Sequence, residues 1–127
     1  MISKKNCLAI DYGTKNIGLA ISTLGVISPL LVLKNNLDIY ENILSVIHEY
    51  QISKVYVGMS KGKFALKTKH FVNKLSIMIK CSIETVEETV STIEATQIYL
   101  NNKGKKKDYK QKIDAISAAV ILERALA

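Results

Sequence analysis

Apolar and polar residues alternate along the first third of the chain in a pattern that predicts three short strands. The apolar run 7–10 ends at Asp11, and a polar turn leads into a second run over 17–21. A third run covers 26–33, with Pro29 near its start, where a missing backbone N–H is tolerated. Because only short turns separate these runs, we expect an antiparallel meander.

After this meander, helical patterns and strand patterns alternate along the chain. Apolar residues three or four positions apart predict a helix over 38–50 that Asp38 caps, and a strand over 54–57 follows and ends at Gly58. A second helix and a strand over 81–86 come next. The residues expected on one side of that second helix are Phe64, Phe71, Leu75 and Met78.

The C-terminal part of the pattern predicts two further helices with a loop between them. A capping box at 91–94 begins the first helix, which we expect to end near residue 100. The stretch 105–112 is so rich in charge that it predicts a mobile loop. The segment 113–126 is apolar on almost every side and predicts a buried helix with Asp114 in its first turn.

This order of elements predicts an α/β fold with a mixed sheet of about five strands, flanked by helices. The antiparallel meander comes first, and alternating strands and helices follow. With 127 residues, 48% of them hydrophobic, and a single proline, residues 1–127 fit one domain with its own core. No stretch approaches the roughly 20 apolar residues of a membrane span, and no leader sequence is recognisable, so we expect a cytoplasmic protein without membrane contact.

Charge and cysteine content narrow the classes of partner. The formal net charge of +7 predicts binding to a polyanion, with nucleic acid as the natural candidate. Because Arg124 is the only arginine among 18 basic residues, a general bias toward lysine is the competing explanation. Cys7 and Cys81 lie far apart and lack metal-binding spacing, which argues against a disulfide framework or a zinc site.

Three acidic residues, Asp11, Glu88 and Asp114, each lie where an apolar element meets a loop. In alternating α/β domains, ligands collect at the carboxyl ends of strands, so these acids can converge there. Carboxylates without histidine or thiolate suit Mg²⁺ or Mn²⁺ better than zinc. Two such ions, about 3.5–4 Å apart, can activate water and stabilise the leaving oxygen in phosphodiester cleavage.

Each acid also has a structural explanation. Asp11 can cap its own turn, and Asp114 can complement the positive end of its helix. Glu88 can be a solvated loop residue. Its neighbour Glu87, on the opposite face of the strand by alternation, is then the alternative functional acid.

Four segments together resemble the YqgF/RuvX family in order and spacing, over nearly the whole chain. They are LAIDYGTKNIGLAIS (8–22), VYVG (55–58), VEETVSTIEA (86–95) and IDAISAAVILE (113–123).

This resemblance implies an RNase H-like fold and a divalent-metal nuclease site. It also implies a role in maturing the 5′ end of pre-16S rRNA, although earlier descriptions call the family a Holliday junction resolvase. Residue by residue, it matches Asp11, Glu88 and Asp114 to the family's acids and Gly13 and Gly18 to its glycines.

The chain departs from the family pattern at two places. Met59 and Ser60 follow Gly58, where relatives usually have a leucine-proline pair, and Thr89 replaces a common arginine. These departures leave the three acids intact and concern substrate positioning.

Several residues near the acids are candidates for contact with nucleic acid. Lysine contacts to phosphate predict strong salt dependence and little base readout. In the basic stretch, Tyr109 can stack on an unpaired base or simply anchor its segment. The other candidates are Gly13, Lys15, Lys61, Lys63, Lys105, Lys106 and Lys107.

The predicted function is a metal-dependent endonuclease that acts on structured RNA, with branched DNA as a further substrate class. A Holliday junction resolvase and a noncatalytic RNA-binding assembly factor are the alternatives. We expect a monomer or weak dimer, whereas a resolvase needs a symmetric dimer to cut two strands. An ATPase of the actin and Hsp70 group shares the D-x-G-T turn, but its two domains do not fit in 127 residues.

Overall fold

The computed structural model describes residues 5–59, 64–87 and 106–126, and in the last range it describes side chains from residue 114 onward. The elements follow the predicted order. They are β1 (Asn6–Asp11), β2 (Asn16–Thr23), β3 (Val26–Lys34), α1 (Ile39–Glu49), β4 (Ile52–Met59), α2 (Ala65–Met78), β5 (Ser82–Glu87) and α3 (Lys106–Leu126).

The five strands form one mixed sheet in the order β3-β2-β1-β4-β5. The first three strands pair antiparallel, and β1, β4 and β5 pair parallel. The predicted meander and the alternating second half are therefore confirmed. Since β1, β4 and β5 run in the same direction, their carboxyl ends meet at one edge of the sheet, which we call the carboxyl edge.

Helices cover both faces of this sheet. Leu8 and Ile10 of β1 point to the face on which α1 and α2 lie, where they join a cluster with Phe71 and Leu75. The residues of β1 that alternate with these, Cys7 and Ala9, face α3. They pack in a second cluster that contains Ala118, Ile121 and Leu122. Central strands buried on both sides explain why the sequence shows continuous apolar runs.

The apolar side of α2 differs from the prediction. Phe71 and Leu75 are buried, but Phe64 and Met78 are 53% and 42% exposed. Thr68 is buried instead, because positions 68, 71 and 75 form the inward stripe of the helix. The Thr68 hydroxyl donates a hydrogen bond of 3.0 Å to the Phe64 carbonyl, which satisfies the buried polar group.

Asp38 precedes α1 as predicted, but its side chain makes no capping hydrogen bond. Its φ of −91° and ψ of 3° differ from the extended backbone of a typical capping residue. The side chain of Asn36 accepts a hydrogen bond of 3.0 Å from the Asp38 backbone N–H. The polar side chain that organises this turn is therefore that of Asn36.

The prediction of a loop over 105–112 is wrong for the described residues 106–112, which form the first part of α3. Lysine and glutamine are good helix formers, and neither glycine nor proline interrupts the sequence from Lys105 to Leu126. Asp114 consequently lies eight residues inside the helix rather than in its first turn. The interaction with a helix terminus fades within one turn, so it does not explain Asp114.

The two cysteines are free thiols. Cys7 is buried and Cys81 half-buried, and burial raises the pKa of each. In the ranges that the structure describes, no helix is long and apolar enough to cross a membrane. The predicted helix over 91–100 lies outside these ranges.

Candidate active site

Asp11 is the last residue of the central strand β1 and is half-buried at the carboxyl edge. By alternation from Ala9 it lies on the face that α3 covers. Its partners in the neighbouring strands are both glycines, Gly18 on β2 and Gly58 on β4. The residues directly opposite Asp11 on both neighbouring strands therefore have no side chain.

Gly18 also determines where α3 crosses the sheet. A Cβ atom built on Gly18 would overlap the backbone carbonyl of Asp114, and it would lie 2.8 Å from the Ala115 nitrogen. The main chain of α3 therefore rests directly on the main chain of β2. Because Asp11 is the register partner of Gly18, this contact brings Asp114 and Asp11 to the same place on the sheet.

The turn between β1 and β2 is tied to the end of β3. A Cβ on Gly13 would overlap the Asn16 carbonyl, so the turn needs glycine there. Asn35 donates two hydrogen bonds of 2.9 Å, from its side chain to the Gly13 carbonyl and from its backbone N–H to the Lys15 carbonyl. These bonds hold the turn that carries exposed Lys15. Asparagine after a strand is a typical turn signal, but the sequence does not indicate its distant partner.

The end of β5 shows on which face of the sheet Glu87 lies. Val86 pairs with Gly58 and packs in the α3 cluster, so it shares the face of Asp11. Glu87, the next residue, is exposed and alternates to the face of α1 and α2. Glu87 is thus on the opposite face from Asp11 and Asp114. Glu88 lies outside the described residues.

Most of the predicted phosphate-binding lysines are not described. Lys61, Lys63 and Lys105 lie outside the described ranges, whereas Lys106 and Lys107 are the first two residues of α3, with only their backbone described. Lys15 is exposed beside the carboxyl edge.

The donor set fits a hard divalent cation. Asp11 and Asp114 offer carboxylate oxygens, and both histidines lie on α1 and α2, across the sheet. Among the described residues, no group of three or more His, Cys, Asp or Glu side chains is close enough to hold a metal ion. The third acid predicted from the sequence, Glu88, is not part of that set.

Lys54 lies on the α3 face of β4, four residues before Gly58, and takes part in an ion pair. Its Nζ is 2.8 Å from a carboxylate oxygen of Glu84 and 5.1 Å from the centroid of the Tyr56 ring. The hydrogen bond to Glu84 is the main reason that the pKa of Lys54 is raised. An exposed pair of this kind contributes little to folding stability, and Lys54 is already engaged by protein groups.

Aromatic side chains line the other face just below the carboxyl edge. The Tyr12 ring centroid lies 4.7 Å from that of Phe71, and Tyr40 of α1 stacks on the same Phe71 at 5.6 Å. Lys74 of α2 places its Nζ 4.7 Å from the centroid of the Tyr40 ring. Sequence reasoning directed attention to Tyr109 and missed this group, because its members come from three separate elements.

An open cleft of about 730 Å³ lies at the opposite edge of the sheet, where β4 and β5 begin. His48, Gln51, Ser53 and Lys80 line it together with apolar residues. Ligands of α/β domains bind at the carboxyl ends of strands, so this cleft is not the candidate active site.

Comparison with known proteins gives one family over nearly the whole chain. The family model described as "RuvX: Holliday junction resolvase" matches residues 5–127. A Photobacterium profundum protein is 32% identical, and the match covers 97% of this chain and 94% of the relative. A Sulfurihydrogenibium protein is 36% identical, with 94% and 88% covered. Both relatives carry the name "Putative pre-16S rRNA nuclease".

Solved structures with a similar fold include RuvC and a viral Holliday junction resolvase. RuvC from T. thermophilus, determined with a Holliday junction substrate, has a TM-score of 0.61 at 15% identity and covers 95% of this chain and 92% of its own. The fowlpox virus Holliday junction resolvase has a TM-score of 0.59 at 15% identity, with 95% and 97% covered. At this identity the likeness concerns the fold, and it confirms the RNase H-like architecture.

Proposed function

The chain belongs to the RuvX family, and we propose that it is a divalent-metal-dependent endonuclease that processes the 5′ end of pre-16S rRNA in the cytoplasm. Its relatives of that name cover it almost completely. The observation that carries the proposal is the contact of Gly18 with the backbone of Asp114, because it brings two acids from opposite ends of the chain to one point.

Asp11, Glu88 and Asp114 are the residues proposed to hold the metal. Glu88 is favoured over Glu87 because Glu87 lies on the face away from Asp11. When bound, Mg²⁺ or Mn²⁺ supplies positive charge to the phosphate oxygens and lowers the pKa of water.

The other residues of the site are proposed to bind and position the phosphates of the RNA. Gly58, the partner of Asp11 on β4, has no side chain to block a phosphodiester that approaches the carboxylate from that strand. The turn held by Asn35 presents Gly13 and Lys15 to a neighbouring phosphate. Lys61, Lys63, Lys105, Lys106 and Lys107 are proposed to position more distant phosphates, which fixes the strand without reading its sequence.

The assignment of acids is tested by four single variants in a cleavage assay with Mg²⁺. Asp11→Asn, Asp114→Asn and Glu88→Gln are each expected to slow cleavage at least about 100-fold, because loss of a metal ligand removes several kcal/mol of transition-state stabilisation. Glu87→Gln is the matched control, one residue from Glu88 in the sequence and on the face away from Asp11, and should stay within about threefold of wild type.

Equal activity of Asp11→Asn and wild type, with both proteins folded, would contradict the mechanism. Equal losses in Glu87→Gln and Glu88→Gln would contradict the choice of Glu88.

The substrate is tested by comparing a precursor 16S rRNA fragment with a four-way DNA junction, each in Mg²⁺, Mn²⁺ or EDTA. The proposal expects cuts in the RNA that EDTA abolishes. Cutting of the junction alone would favour the second candidate, a Holliday junction resolvase, which the description of the matching family supports. Salt-sensitive RNA binding without cuts would favour a noncatalytic assembly factor.

A further inference from the structure

Charge is divided sharply between the two helices that share one face of the sheet. Helix α2 contains Lys67, Lys69 and Lys74 and no acidic residue. Helix α1 contains Glu41 and Glu49 and no lysine or arginine. The positive charge on this face is therefore concentrated on α2.

Two of the α2 lysines lie on the side of the helix that faces α1. Lys67 and Lys74 are seven residues apart and so lie in one stripe, two turns from each other. The contact of Lys74 with the Tyr40 ring shows that this stripe borders α1. Lys69 lies on the other flank, beyond the buried stripe of Thr68, Phe71 and Leu75.

The same region carries two half-buried tyrosines close to the carboxyl edge. Tyr12 directly follows Asp11, and Tyr40 is in the first turn of α1, which begins at that edge. Both rings pack on Phe71, so their positions are fixed by a buried side chain. Burial, and then the neighbouring Tyr12, raise the pKa of Tyr40.

We propose that Tyr12, Tyr40, Lys67 and Lys74 form a strand-binding surface for the single-stranded RNA next to the scissile phosphate. The RNA then crosses the carboxyl edge from the face of α3 to the face of α1 and α2. This inference rests on the proposed nuclease function.

The chemistry of this surface favours a single strand. Two lysines in a stripe meet successive phosphates, and tyrosines at the edge offer a ring for stacking or a hydroxyl for a ribose or base. A single strand can bend around the edge of a sheet and expose its bases, whereas an A-form duplex presents shape and backbone.

The competing explanation is that the tyrosines only seal the core above Phe71. That role depends on ring packing and includes the contact of Lys74 with the Tyr40 ring, but it does not account for Lys67. A test based on the lysines therefore separates RNA binding from packing.

The experiment measures RNA affinity in EDTA, so that cleavage does not enter the result. The probe is an RNA hairpin with a single-stranded extension, compared with the same hairpin lacking it, over a series of salt concentrations. The variant K67Q/K74Q is matched with K69Q/K80Q, which removes the same charge from exposed positions outside the stripe. Lys69 lies on the other flank of α2, and Lys80 lies at the opposite edge of the sheet. Thermal unfolding of each variant checks that the fold is retained.

We expect wild type to bind the extended RNA more tightly than the trimmed RNA. K67Q/K74Q should lose most of that difference, and its plot of log affinity against log salt should be shallower by about 1–2. K69Q/K80Q should keep the difference. Equal behaviour of the two double variants, or equal affinity of wild type for both RNAs, would overturn the inference.

A separate cleavage assay distinguishes failure of the strand-binding surface from failure of the proposed nuclease function. If wild type prefers the extended RNA, K67Q/K74Q loses that preference and no cut appears in Mg²⁺, the nuclease proposal fails while the strand-binding surface stands. If it cuts the RNA and K67Q/K74Q matches K69Q/K80Q in binding, only the surface is wrong.

Discussion

The absence of a side chain at Gly18 determines where the candidate active site lies, because it lets α3 approach the sheet there. The residue has no unusual turn to make, since it lies within β2 and pairs with Asp11 and with Val32 of β3. Its role is the close approach of α3, whose backbone at Asp114 and Ala115 occupies the space of a Cβ atom. A single methyl group at this position would have to move the helix or the strand, because backbone atoms cannot rotate away.

We therefore predict that Gly18→Ala lowers both stability and activity. Overpacking of this kind costs about 1–3 kcal/mol, measured as a loss in the free energy of unfolding. Cleavage by the folded fraction should fall as well, because Asp114 is displaced from Asp11.

Gly25→Ala is the control for Gly18→Ala. Gly25 has a φ of +81° and nothing within 4 Å of its would-be Cβ, so the substitution strains a distant turn without touching the site. Its folded fraction should cleave at the wild-type rate. A Gly18→Ala protein with wild-type cleavage would show that the contact does not set the geometry of the acids.

At the scale of secondary-structure elements, the sequence predicts those strands and helices whose position depends on the local pattern of apolar residues. The sequence pattern locates all five strands to within two residues at either end. For the central strands β2, β1 and β4 the reason is burial on both faces, which leaves little ambiguity. The start of α3 is missed because a lysine-rich stretch has helix propensity but no apolar period. Asp11 is found as the end of a strand, whereas Asn35 and Tyr40 are missed because their partners lie far away in the chain.

The helical state of the segment before Asp114 is tested by a pair of proline variants. Gln111→Pro removes a hydrogen bond inside α3 and should cost about 3 kcal/mol locally, seen as lost helicity by circular dichroism. Cleavage should fall because the kink lies three residues before Asp114.

Asp108→Pro, in the first turn of α3 and at a residue with no proposed role in binding, provides the comparison for Gln111→Pro. Proline is tolerated there, so helicity and cleavage should stay near the wild-type values. Similar spectra and similar cleavage for both variants would mean that α3 begins nearer Asp114 in solution.

On the scale of the whole molecule, the two candidate substrates demand different assemblies. The acids Asp11 and Asp114 that contribute to the proposed site belong to the same chain, so one copy can cut a single RNA strand. A four-way junction needs two coordinated cuts and hence a symmetric pair.

We predict that RNA cleavage per molecule is independent of protein concentration and that the protein sediments as a monomer under assay conditions. Junction cleavage, where present, should rise more steeply than linearly with concentration. RNA cleavage that also requires a dimer would contradict a site complete within one chain.

The docking of α3 on Gly18 also determines when the site can exist during synthesis. Asp11 leaves the ribosome early, but its partner Asp114 follows about a hundred residues later, which at typical elongation rates is roughly 5–20 seconds. Until then the sheet offers one acid beside a bare glycine. If Asp11 and Asp114 hold the metal as proposed, a nascent chain is inactive toward RNA, including the rRNA of the ribosomes around it, until α3 has docked.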